Sequence, residues 1–169
     1  IDNAATGQPN WRLDNLILIG ASSSAGIGVS CVYALRGVIR DCVIQSWSTG
    51  VKVASSGANV SDAIELLGVF VRSCTTGLDL VLTGGSVIAG ALEACATGIS
   101  TTPTNILHLA GIRLISSGSG TLTGIASTSG TVVTNGCTFT GHTSARDIVL
   151  SSTGSWRGFG DSLASGVTN

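Results

Sequence analysis

Val69-Phe70-Val71-Arg72-Ser73-Cys74-Thr75-Thr76-Gly77-Leu78 sets apolar side chains at alternate positions, breaks at a Cys and a pair of threonines, passes a Gly, and resumes alternation through Leu80 and Leu82. Period two on both sides of a break is the pattern of two short strands, each with one buried face, joined by a tight corner. The same order recurs upstream as Ile44-Gln45-Ser46-Trp47-Ser48-Thr49-Gly50-Val51.

Marker positions of this kind are Gly26, Gly50, Gly77, Gly98, Gly124 and, with Asp in place of Gly, Asp147. The steps between them are 24, 27, 21, 26 and 23 residues, the scatter of one supersecondary unit carrying loop insertions. A helical array of this step would need helix-forming sequence between the glycines, and the intervening residues are Ser, Thr, Val and Ile.

Aligned on the markers, the positions eight, six and three residues earlier are Cys42, Ile44 and Trp47, then Val69, Val71 and Cys74, then Gly90, Leu92 and Cys95. With insertions at 118 to 123 and near 143, Ile112, Leu114 and Ser117, then Cys137, Phe139 and His142 follow. Apolar alternation also precedes these strands at Leu35 to Ile39 and Ile64 to Leu67, giving up to three strands per repeat. The expected architecture is an all-β parallel solenoid of about six turns, each strand pairing with its equivalent one turn along at about 4.8 Å. Trp47, Cys74, Cys95, Ser117 and His142 would form one corner column, with Cys74 beside Cys95. The marker Gly is expected to supply a positive φ at the corner, a role that Asp147 tolerates.

The chain has 169 residues, 43% hydrophobic and 10% charged, with 24 Gly and no Met. Eight Lys and Arg against nine Asp and Glu give a net charge of −1 without a run of either sign, which argues against a nucleic-acid face. No apolar run reaches the length of a membrane helix. So little charged side chain is expected to leave apolar surface that is buried against copies of the same chain. Five cysteines without a close Cys or His pairing read as buried free thiols rather than a metal site or a disulfide framework, and no cofactor is expected. With neither an initiator Met nor a signal-like segment at its start, the chain is expected to be processed or a piece of something longer. Leu16 to Gly28 superficially resembles a nucleotide-binding glycine turn, but five residues separate its first two glycines and no helical pattern follows.

The repeated pattern of apolar, x, apolar, x, x, Cys or Trp, x, Thr, Gly, aliphatic resembles the right-handed parallel β-helix of the pectin-lyase-like kind found in bacteriophage tailspikes and tail fibres. It spans roughly residues 11 to 150, between a lead-in over 1–10 and a closing or onward segment over 151–169. Trp11 is placed to cover one end and Trp156 the other. The resemblance implies a homotrimer on the virion, attached to other virion proteins, with a host-surface polysaccharide as target. The function it points to is a structural and receptor-binding component. The alternatives are a polysaccharide depolymerase and a purely structural decoration protein.

A depolymerase needs two carboxylates roughly 5 to 9.5 Å apart. The candidates are Asp62, Glu65, Asp79 and Glu93, although Glu93 aligns over Arg72, as a surface ion pair would. Phe70, Arg72 and Trp156 are the candidates for contact with a glycan or another subunit. His108 and His142 stand alone in the sequence, and neither suggests a catalytic triad.

Overall fold

A computed structural model describes residues 2–3, 11–32, 36–54, 64–82, 84–103, 105–117, 122–142, 146–164 and 166–168. The chain coils as a right-handed parallel β-helix of about five turns, with no helix among the described residues. The six sequence markers enclose five steps, which accounts for five turns where six are expected.

Three parallel ladders form the walls. The first stacks Ile27–Val32, Thr49–Ala54, Thr76–Leu80, Thr97–Thr101 and the starts of Thr123–Asn135 and Ile148–Phe159. The second stacks Arg12–Asp14, Val38–Arg40, Ile64–Leu67, the starts of Gly84–Glu93 and Ile106–Ile115, and the ends of Thr123–Asn135 and Ile148–Phe159. The third stacks Ile17–Ile19, Val43–Gln45, Phe70–Arg72, the ends of Gly84–Glu93 and Ile106–Ile115, and Thr138–Thr140.

Equivalent side chains line up as columns because every turn repeats the same register. Val29, Val51, Leu78, Ile99, Ile125 and Ile148 run up the inside of the first ladder. Ile44, Val71, Leu92, Leu114 and Phe139 run up the third. All of these are buried, and each fully buried aliphatic contributes about 1.5–3 kcal/mol. The core is thus one continuous apolar column. Two of the polar residues that enter it bond to backbone: Thr101 donates to the Leu80 carbonyl at 3.1 Å and Ser127 to that of Ser129 at 3.1 Å.

The expected positive φ is met at the marker Gly26, with φ 75, and corrected at the other four marker glycines. Gly50, Gly77, Gly98 and Gly124 do not have positive φ. Instead each faces inward against the next turn: a Cβ on Gly77 would stand 2.6 Å from the Gly98 carbonyl oxygen and 2.8 Å from Leu92, and Gly98 is blocked likewise by Gly124 and Leu114. The first member of this column is Gly28, which lies in register with Gly50, rather than Gly26. Positive φ belongs to other corners. Asn15, Asp41, Gly68, Ala89, Gly111, Gly136 and Gly160, all between φ 48 and 64, turn the chain from the second ladder into the third. Ser46, Ser73 and Ala94 do the same on leaving the third.

Candidate functional site

Two columns alternate with the inward one on the third ladder. One runs Ile17, Val43, Phe70, Ala91, Arg113, Thr138, and the other Ile19, Gln45, Arg72, Glu93, Ile115, Thr140. Phe70 and Arg72 therefore share a face, flanking the buried Val71. The guanidinium of Arg72 donates through Nε to Gln45 Oε1 at 2.7 Å, which fixes the side chain along the column. At one end of the face Ile17 and Ile19 are 70% and 63% exposed.

Beside this face, at the corner leading into the first ladder, lies an open groove of about 300 Å³. Ser23, Ser73, Thr75 and Ser117 give it hydroxyl walls, and Cys74 lies on its floor. Ser23, within the segment from Gly20 to Gly26, forms one rim, and its carbonyl accepts from the Thr75 hydroxyl at 2.8 Å. This is the glycine-rich stretch with the look of a nucleotide turn. Its Gly20 is required because a Cβ would meet the Ser46 carbonyl oxygen at 2.2 Å and the Trp47 ring at 2.8 Å.

The carboxylates do not converge. Glu65 lies on the second ladder, Asp79 on the first and Glu93 on the third, so each looks out from a different wall. Asp79 is held by Lys52 at 3.7 Å. Glu93 is in register with Arg72, as the alignment has it, but its ion pair is with Arg113 of the following turn at 3.0 Å. Asp62 lies outside the described residues. Trp156 turns its ring inward in register with Val132, packs on the core, and donates from Nε1 to Thr134 Oγ1 at 2.8 Å.

The corner column is Trp47, Cys74, Cys95 and His142, while Ser117 is exposed and Ser116 is the buried residue of that turn, donating to the Cys95 carbonyl at 3.2 Å. All five cysteines are free and buried. The neighbouring Cys95 side chain lowers the Cys74 pKa from 9.0 to about 7, against burial and with backbone help from Trp47 and Ser46. The neighbouring Cys74 side chain, together with burial, raises Cys95. Burial raises Cys137.

One constellation is invisible in the sequence. His142 Nδ1 lies 2.9 Å from Asp147 Oδ1, both side chains fully buried, and Asp147 Oδ2 accepts the Gly166 amide at 2.7 Å. The His142 ring meets Phe139 edge-on at 6.1 Å. No substrate reaches such a pair. It replaces, with hydrogen bonds, the glycine packing of the turns below.

Among the described residues no group of three or more His, Cys, Asp or Glu could hold a metal ion. No family model, no curated protein and no solved structure matches the chain.

Proposed function

We propose that this protein is a structural and host-receptor-binding component of a phage virion, of the tailspike or tail-fibre kind, and that it works as a homotrimer whose solenoids form a stiff shaft. The observation that carries the reading is one face on which Phe70, a fixed Arg72 and Gln45, and a hydroxyl-walled groove lie side by side. A pyranose presents an apolar face for an aromatic ring and hydroxyls for donors and acceptors, and a rigid sheet offers both without an ordering cost. Exposed Ile17 and Ile19 at the end of that face suit a contact between subunits.

The depolymerase alternative finds less support, because Glu65, Asp79 and Glu93 point from three walls and two of them are engaged in ion pairs. Light scattering and binding to host capsule or lipopolysaccharide test the proposal together. A trimer that binds the glycan, with binding weakened by Phe70→Ala and Arg72→Ala, is the expected result. A monomer that binds no surface glycan overturns it. New reducing ends or an unsaturated uronate absorbance would replace adhesion by cleavage.

A further inference from the structure

The thiols of Cys74 and Cys95 occupy equivalent positions on consecutive turns. Val71 and Arg72 pair with Leu92 and Glu93 before them, and Thr76 pairs with Thr97 after them, so no register shift separates the two. Neighbouring parallel strands lie about 4.8 Å apart, within the range of roughly 4.4–6.8 Å that a disulfide spans between Cα atoms. Both side chains enter the same corner, each thiol donating to the carbonyl two residues before it, Cys74 to Arg72 at 3.4 Å and Cys95 to Glu93 at 3.5 Å. The other cysteines have different neighbours: Cys31 pairs with Asn3 and Val53, and Cys42 stacks below Val69.

Access is one-sided. Cys74 lines the groove, whereas Cys95 lies behind it. The groove is open to a small molecule, and at its rim the Thr75 hydroxyl donates to the Ser23 carbonyl, while Gly20, Ala25 and Gly26 on either side are held by backbone bonds to Gln45, Ser48 and Thr49.

We propose that Cys74 and Cys95 are a redox-active dithiol, with Cys74 as the attacking thiol and Cys95 as the resolving one, and that small disulfides entering the groove are its oxidants. The Cys74 thiolate attacks one sulfur of the disulfide R–S–S–R, forming a mixed disulfide and expelling RS⁻. Cys95, on giving up its proton, attacks the Cys74 sulfur and expels the second RS⁻. The two protons from the cysteines end on the two RSH products. The protein pair loses two electrons and the small disulfide gains them. A low-pKa thiol lining a groove, backed by a second thiol one turn along, is arranged for this order of events.

The native protein incubated with glutathione disulfide, quenched in acid, alkylated and digested with trypsin decides the matter. Residues 73–113 contain no Lys or Arg before Arg113, so one peptide carries both cysteines and no other. The expected peptide is lighter by two hydrogens, recovers its mass with dithiothreitol, and appears while the peptides of Cys31, Cys42 and Cys137 remain fully alkylated. Cys95→Ser should trap one glutathione on Cys74, Cys74→Ser should leave Cys95 unmodified, and Thr75→Val should speed the reaction by releasing Ser23 at the rim. Two alkylated thiols in that peptide, or equal reaction of all five cysteines, overturns the proposal in the wild-type protein alone, however the variants fold.

Discussion

The carbonyl oxygen of Gly98 stands 2.6 Å from the point where a Cβ on Gly77 would sit, one turn below it. That close approach makes the glycine column a steric requirement of stacking. Gly77→Ala must push apart two turns or displace Leu92, and the expected loss is roughly 1–3 kcal/mol or more. Gly111 is different, with φ +62 and nothing within 4 Å of an added Cβ. Gly111→Asn should cost less than Gly111→Ala, because Asn visits the left-handed region more readily, whereas Gly77→Asn should be worse than Gly77→Ala. Urea unfolding of the four variants separates the two kinds of glycine.

Asp147 occupies the marker position without the marker residue, and restoring Gly there is the informative change. Asp147→Gly removes the acceptor of both His142 Nδ1 and the Gly166 amide, leaving buried donors without their partner. The expected destabilisation is about 2–4 kcal/mol, measured by thermal or urea unfolding. If the pattern of the other turns governed this position, Asp147→Gly would instead be neutral or stabilising.

Glu93 and Arg113 form a surface pair whose side chains are 31% and 59% exposed. Glu93→Gln is therefore expected to change stability by about 1 kcal/mol or less and to leave glycan binding intact. Loss of a polysaccharide-cleaving activity in that variant would restore the carboxylate to a catalytic role.

Much of this architecture is legible in the sequence for a physical reason. A parallel ladder repeats its register, so the columns Ile44 to Phe139 and Val51 to Ile148 follow from alternation and one recurring Gly. The same Gly misleads about its cause, since a glycine demanded by the next turn's carbonyl is indistinguishable in one dimension from a glycine demanded by φ. The left-handed corners were hidden because Asn15, Asp41, Ser73 and Ala94 hold many of them. Carboxylate placement needs the third dimension altogether. Glu65, Asp79 and Glu93 look clustered along the chain only because a turn of the solenoid visits all three walls.

Stability should depend on pH through the stacked thiols. In the unfolded chain both titrate near 9.0, whereas in the folded protein Cys74 loses its proton near 7 and Cys95 holds its own. Between those values the unfolded chain binds one more proton than the folded one, so stability rises with pH. Above 9.0 the unfolded chain has released both protons while the folded protein keeps one, and stability falls again. Unfolding under reducing conditions from pH 6 to 10.5 should therefore give a maximum near pH 9, and Cys74→Ser should abolish the rise toward it. A flat profile in the wild type would contradict the coupling of the two stacked thiols.

Ile17 and Ile19 project from the same strand on either side of the half-buried Leu18 and are the most exposed of the large aliphatics described. Their burial in a trimer would remove apolar surface from water at about 25 cal/mol per Å². A double substitution, Ile17→Glu with Ile19→Glu, places charges at that contact without touching the inward columns, so the monomer fold should survive. The expected outcome is a protein with unchanged β-type circular dichroism that sediments as a monomer while the wild type sediments as a trimer. A trimer retained by the double variant moves the subunit contact to another wall of the solenoid, and with it the assignment of these two residues.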